Sequence, residues 1–233
     1  MNVWLFSSGS RVQNASADID MLSSIPGESL KVAFLPTCKE DGDLYFRQLR
    51  RRLSYHSCGK NISFRFFRIF DILGEKEVSE ILAADIVYLS GGNTFSLLEG
   101  LRKNGLLPKL YKRGVRGGLT AGHSAGAIVL SHDITMAAFP AYDRDENDAG
   151  IRDMKGVRLI PFEVFPHYDD QEETGKYRRS LQQYTRNKGG MLYAIADGQS
   201  IHINGSRFLT FYGGATAFCG GDAAMMLPSE DIY

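Results

Sequence analysis

The chain predicts an α/β fold in which helices cover both faces of a largely parallel sheet. Three observations carry that expectation. Short apolar runs alternate with longer amphipathic segments through the first half of the sequence. Several of the runs end in glycine-bearing turns of the kind that join a strand to a helix. The 233 residues are 43% hydrophobic and 23% charged, enough apolar material for a substantial core.

Val3 to Phe6 reads as the first strand, because the opening apolar run is too short for a secretory leader and lacks its basic flank. Ala17 to Ile25 then carries apolar residues at three-and-four spacing, as a helix does, before the strand Val32 to Leu35. Leu44 to His56 reads as a helix, Phe64 to Phe70 as a strand, Val78 to Ala84 as a helix and Ile86 to Leu89 as a strand. Two further helices, Thr94 to Lys103 and Leu106 to Val115, precede the strand Leu119 to Ala121. Such βαβ alternation implies parallel strands buried on both sides.

The second half changes character. Residues 139–148 form a polar, acidic run suited to a surface loop, and Leu159 to Phe165 reads as another strand. Gln171 to Asn187 predicts a helix and Tyr193 to Ala196 a strand. Ile201 to Ile203 and Phe208 to Phe211 flank Asn204-Gly205, a two-residue hairpin signal. No repeat, low-complexity tract or linker divides the sequence, so one domain is expected over residues 1–233.

Composition also excludes function classes. Lys+Arg and Asp+Glu are equal at 27 each, so the basic surplus that binds nucleic acid through its phosphates is missing. No apolar run approaches the roughly 20 residues that cross a bilayer. Neither G-x-x-x-x-G-K-[ST] nor G-x-G-x-x-G occurs, which argues against nucleotide binding. Cys38, Cys58 and Cys219 are odd in number and scattered without metal-ligand spacing, so the expectation is a cytoplasmic protein with no metal and no organic cofactor. The cysteines read as small, buried or half-buried apolar residues.

Gly122-His123-Ser124-Ala125-Gly126 is the stretch that points to chemistry. A serine between two glycines, after an apolar run and before Ile128, Val129 and Leu130, fits a sharp strand-to-helix turn that projects the hydroxyl. Such a serine needs a base and a carboxylate to orient the base. Of five histidines, His123 adjoins the serine, His132 lies past the elbow helix, His56 sits at an exposed-looking helix end and His202 in the late hairpin. His167, after the strand ending at Phe165, falls at the carboxyl edge where parallel sheets build their sites. Asp197, after the strand ending at Ala196, supplies a carboxylate at what reads as the same edge. The order Ser, His, Asp differs from the Ser, Asp, His order of α/β-hydrolases.

A second turn, Leu89-Ser90-Gly91-Gly92-Asn93-Thr94, lets backbone amides approach a ligand, and the Gly92 and Ala125 amides together suit an oxyanion hole. Asn93 or Thr94 caps the helix that follows, and Asn93 is also a substrate-binding candidate.

Together, Leu89-Ser90-Gly91-Gly92-Asn93-Thr94-Phe95, Ala121-Gly122-His123-Ser124-Ala125-Gly126-Ala127 and Phe165-Pro166-His167-Tyr168 resemble the motifs of peptidase family S51, in the family's order. The resemblance spans most of the chain. It implies a three-layer sandwich with a mostly parallel central sheet, class I glutamine amidotransferase-like (flavodoxin-like), with a C-terminal β-hairpin. It further implies that Ser124 is the nucleophile, His167 the general base, Asp197 the third member where the family often has glutamate, and Gly92 with Ala125 the oxyanion hole. The implied substrate is a small acidic peptide, above all a dipeptide with N-terminal aspartate, gripped through its carboxylate by Lys176, Arg178 or Arg179, with Asp143 as an activity-linked acid in the loop. A cyanophycinase-like hydrolase of β-aspartyl-arginine peptides and a non-catalytic binding module on the same scaffold are the alternatives. The expected partner is a small peptide substrate, not nucleic acid or membrane, with the chain a monomer or homodimer.

Overall fold

The computed structural model describes residues 1–37, 41–168, 174–205 and 208–229. Eighteen elements follow in order: β1 (Asn2–Phe6), α1 (Ala15–Ser23), β2 (Ser29–Leu35), α2 (Gly42–Tyr55), β3 (Asn61–Phe66), α3 (Glu75–Ala83), β4 (Ile86–Leu89), α4 (Thr94–Lys103), α5 (Leu106–Val115), β5 (Leu119–His123), α6 (Ala125–Val129), β6 (Glu163–Phe165), α7 (Thr174–Lys188), β7 (Met191–Ala194), β8 (Ser200–Asn204), β9 (Phe208–Tyr212), β10 (Ala215–Cys219) and β11 (Asp222–Met226). Cys38 and residues 171–173 of the predicted helix lie outside the described residues.

The main sheet has the order β3-β2-β4-β5-β1-β8-β9. Its first five strands are mutually parallel, and β8 and β9 add antiparallel to β1 and to each other. Alternation along β1 sorts the layers. Val3 and Leu5 enter one core with Leu97, Leu98 and Leu101 of α4, while Trp4 and Phe6 enter the other with Met21 of α1 and Leu49 and Leu53 of α2. Consequently the helices after β2 and β4, neighbouring strands, leave on opposite faces. Such a divergence opens a crevice beyond the strands' carboxyl ends, the usual place for a ligand in an open parallel sheet.

A second sheet, β11-β10-β7-β6, holds the strands that precede His167 and Asp197, two residues expected at the same sheet edge as Ser124. Leu159 to Phe165 is not one strand: Val157 and Leu159 donate to the carbonyls of Val129 and Leu130, Ile160 makes an isolated bridge with Ser131, Pro161 offers no N–H, and Glu163–Phe165 forms the strand, paired with β7. The strand predicted at Phe64 to Phe70 is displaced to Asn61–Phe66. It is an edge strand, so its apolar residues alternate instead of running together. The second sheet carries α7 across a core of Phe165, Tyr168, Leu181, Leu192 and Phe218. Cys58 and Cys219, read as buried or half-buried, are both exposed free thiols. His56, read as exposed, is buried with Nδ1 2.9 Å from Asp18 Oδ2.

His202 lies flat on Trp4, ring centroids 3.9 Å apart, and its Nε2 donates to Asn2 Oδ1 at 3.0 Å. Burial lowers its pKa to about 4, with Asp20 opposing. An unfolded histidine titrates near 6.5. Between those values the unfolded chain binds the extra proton, so this contribution to stability is complete above about pH 6.5 and is lost as pH falls toward 4. Thermal melts from pH 7 to 4 are expected to decline less steeply for His202→Phe, which keeps the ring contact and removes the titration. Parallel curves would dismiss this source of acid sensitivity.

Candidate active site

The turn between β5 and α6 is made by Ser124 alone, with φ 51° and ψ −112°. A residue with a Cβ in such a conformation costs about 1–3 kcal/mol, which the surroundings must offset. Ser124 N–H donates to Phe6 C=O at 2.8 Å, and its carbonyl accepts from Ala127 and Ile128 at 2.8 and 3.1 Å. The helix start passes so close over β4 that a Cβ on Gly126 would lie 2.2 Å from the Leu89 carbonyl oxygen. That contact explains why the second position after the serine carries glycine.

His167, beyond the end of β6, sets Nε2 2.8 Å from Ser124 Oγ. Its Nδ1 stands 2.8 Å from Oδ1 of Asp197, beyond β7. A carboxylate accepts, so the Nδ1 proton points to Asp197 and Nε2 is left to accept from the Ser124 hydroxyl; the tautomer is assigned from these partners. The side chains of His167 and Asp197 are 46% and 53% exposed, which leaves the relay open to solvent. The two later elements belong to the second sheet, yet the structure brings all three residues into one hydrogen-bonded line.

Ser7, buried at the end of β1, joins that line from below. Its Oγ accepts from His167 N–H at 2.7 Å and donates to Asp197 Oδ1 at 3.1 Å, so one hydroxyl fixes the base and the acid together. Its only sequence signal is its place at the end of a central strand. Removing a bond of this kind costs about 1–1.5 kcal/mol, or roughly tenfold in rate. Ser7→Ala is expected to lower kcat by about that factor with KM little changed. Equal loss in kcat and gain in KM would mean a general structural role.

Gly92 lies across from the serine with φ 117°, where an added Cβ would approach Thr37 Oγ1 to 2.2 Å. Ala125 opens α6, and the first amides of a helix have no intrahelical acceptor. Among the described residues neither the Gly92 nor the Ala125 N–H meets an acceptor. Asn93 is committed elsewhere: Oδ1 accepts from Ser96 N–H at 3.0 Å as the N-cap of α4, and Nδ2 donates to the Glu146 carbonyl at 2.8 Å. The acidic loop is more than a solvated surface, since Asp145 Oδ2 accepts from Thr94 N–H at 2.8 Å and Asp145 forms part of the cleft wall.

The remaining substrate-binding expectations do not converge. Asp143 accepts from the Tyr177 hydroxyl at 2.6 Å, which ties the loop to α7. Lys176 Nζ sits 3.5 Å from the centroid of the Tyr142 ring, and Lys176, Arg178 and Arg179 are exposed on α7. None of these four is among the residues that line the cleft, and α7 packs on the second sheet. The cleft, about 1060 Å³, takes its cations from the other side: Arg11, Arg51 and Arg52. His123 also lines it, pushed down to about 3 by burial and by the charges of Arg52 and His167, and it stays neutral near pH 7. Among the described residues no cluster of His, Cys, Asp and Glu could hold a metal ion, and no helix is long and apolar enough to cross a membrane.

A serine hydroxyl that donates to an imidazole, with two free amides nearby, suits acyl transfer. Comparison with known proteins points to a peptidase family. The model of peptidase family S51 matches residues 3–211. Peptidase E of Pasteurella multocida is 25% identical over 227 residues, covering 89% of this chain and 88% of the relative. Peptidase E of Streptomyces coelicolor is 28% identical over 202 residues, covering 81% and 74%. The fold matches the crystal structure of a peptidase from an acI-B1 Actinobacterium with a TM-score of 0.69 at 19% identity, over 98% of this chain and 95% of that one.

Proposed function

The chain belongs to peptidase family S51, and from that premise we propose that it is a serine peptidase that cleaves small acidic peptides, foremost dipeptides with N-terminal aspartate, through an acyl-enzyme. The observation that carries the reading is the continuous line from Ser124 Oγ to His167 to Asp197, with both contacts at 2.8 Å. His167 Nε2 takes the hydroxyl proton as Oγ attacks the peptide carbonyl, so no free alkoxide must form in water. The negative charge gathers on the carbonyl oxygen, where the Gly92 and Ala125 amides are placed to donate. Collapse of the tetrahedral species expels the amine, which receives the proton from His167. Water then gives its proton to the same nitrogen as its oxygen attacks the acyl carbonyl, and collapse frees the acid while His167 returns that proton to Ser124 Oγ, with Asp197 keeping the imidazole oriented through both halves.

The strained Ser124 backbone belongs to this reading as well, since it directs Oγ toward Nε2 instead of into the turn. The test combines a fluorophosphonate probe with a dipeptide panel. The expected result is a covalent adduct that peptide mass spectrometry maps to Ser124, together with hydrolysis of Asp-Leu. A protein that neither reacts with the probe nor cleaves any dipeptide would be a binding module. Cleavage confined to β-linked aspartyl-arginine would retain the machinery and replace the substrate.

A further inference from the structure

The floor of the cleft holds a cation that the proposed chemistry leaves unused. Arg52 projects from α2 into the cleft that Ser124 also lines, with its side chain only 11% exposed. Its guanidinium lies 5.0 Å from the centroid of the Phe6 ring, and Phe6 is the residue whose carbonyl receives the Ser124 N–H. One residue of β1 therefore separates the guanidinium from the serine turn. His123, the serine's neighbour, lines the same cleft, its pKa lowered first by burial and then by the charge of Arg52.

The contacts of Arg52 are incomplete in one direction. Nε is paired with Asp18 Oδ2 at 3.0 Å, without the alignment of a hydrogen bond, and Nη2 donates to the Tyr88 hydroxyl at 3.3 Å. Nη1 has no partner among the described residues. Tyr88, accepting from Arg52, keeps its own proton to donate, and burial keeps it a neutral phenol. Beside them Ser90, also in the cleft lining, is buried with its Oγ unpartnered. Three donors are thus held at the floor, and Asp18, itself bonded to His56 Nδ1, fixes the guanidinium from behind. Such preorganised, partly desolvated donors suit an anion that brings its own two acceptor oxygens.

On the peptidase reading above, we propose that Arg52, with Tyr88 and Ser90, is the carboxylate-reading subsite that sets preference for an acidic side chain on the residue contributing the scissile carbonyl. Arg11 and Arg51 stand exposed at the rim of the same cleft. Charges at a rim speed the encounter and are weakened by salt, whereas a buried donor discriminates between bound ligands. The division of labour follows from burial. The rim arginines gather anionic peptides, and Arg52 favours the carboxylate over its neutral isostere because an ionised oxygen accepts the stronger, charge-assisted bond and, unlike an amide, brings no donor against the guanidinium.

The experiment compares Asp-Leu with Asn-Leu, equal in shape and different in charge, on the intact protein, with fluorophosphonate labelling of Ser124 run in parallel. Wild type is expected to prefer the aspartyl peptide in kcat/KM by about 30- to 100-fold, the scale of a charge-assisted pair. Arg52→Met leaves Asp18 buried without its guanidinium partner, so Arg52→Met/Asp18→Asn is made beside it to keep a folded protein. In that variant the preference is expected to fall below about fivefold while the probe still labels Ser124. A variant that labels and keeps the full preference would show that Arg52 is only a packing element. Labelling of wild type with equal turnover of both peptides, or with turnover of neither, would overturn the subsite and spare the nucleophile. Absence of labelling and of all turnover would remove both.

Discussion

Ser124→Ala is expected to lower kcat on a susceptible dipeptide by about 10^6-fold while the fold and the cleft persist. The loss is this large because the proposed mechanism places every bond change on Oγ: it attacks the carbonyl, carries the acyl group and leaves again when water enters. What survives is catalysis by orientation and by the free amides, about 10^3-fold or more above water. The backbone makes the experiment sharper. At φ 51° and ψ −112° alanine is strained much as serine is, so Ser124→Ala should melt close to wild type. Ser124→Gly relieves that strain and is expected to melt higher, by about 1 kcal/mol of stability, with activity equally lost. A more stable, inactive Ser124→Gly would identify the elbow as a place where folding energy is given up for the position of one oxygen. Turnover retained by either variant would move the nucleophile elsewhere. The assay is kcat measured with enough protein to see 10^-6 of the wild-type rate, beside calorimetry of each variant.

The parallel half of the fold was legible because its signals are local. The apolar runs of β1, β2, β4 and β5 are buried on both faces, so periodicity alone finds them. Ser124 was legible for the same reason, since the glycines and the serine sit within five residues and answer one steric demand. His167 and Asp197 were reachable through the rule that parallel strands build sites at their carboxyl ends, although β6 and β7 belong to a second sheet that the rule does not foresee. The sequence of β10 and β11 hides that sheet. Ala215 to Cys219 and Asp222 to Met226 are short, and β11 is a largely exposed edge with Met225 at 74%. No run or clean alternation marks them.

Arg52 was missed for a different reason. It closes the run Arg50-Arg51-Arg52, which reads as a solvated helix face. Its helical spacing says otherwise, for Arg52 lies three residues after Leu49 and four before His56, on the stripe that carries Leu53 into the core. A charge on an apolar stripe was the available signal. Basic residues on α7 drew attention because the resemblance points there, but α7 packs on the second sheet and none of them lines the cleft. What one sequence cannot give is the relative placement of two sheets, and that placement decides which arginines face Ser124.

His167→Ala is expected to match Ser124→Ala, at about 10^6-fold in kcat, because a serine without its base is as ineffective as no serine. Asp197 is expected to matter less, and its substitutions separate two roles. Its carboxylate is half exposed, so water and salt weaken its field, and Asp197→Ala lets water accept the Nδ1 proton in its place. The expected loss is about 10^2-fold. Asp197→Asn is the harsher change: its amide can donate to Nδ1, which moves the imidazole proton to Nε2 and turns the nitrogen facing Ser124 from acceptor into donor. About 10^4-fold is expected, the scale of a wrong tautomer. An asparagine worse than an alanine is the mark of tautomer control, since loss of charge alone would make the two alike. In His167→Ala/Asp197→Asn the second change should add almost nothing to the first, because Asp197 acts only through the ring it holds. Losses that multiply would mean that Asp197 meets the substrate directly, and the 2.8 Å contact to Nδ1 would then be incidental to turnover.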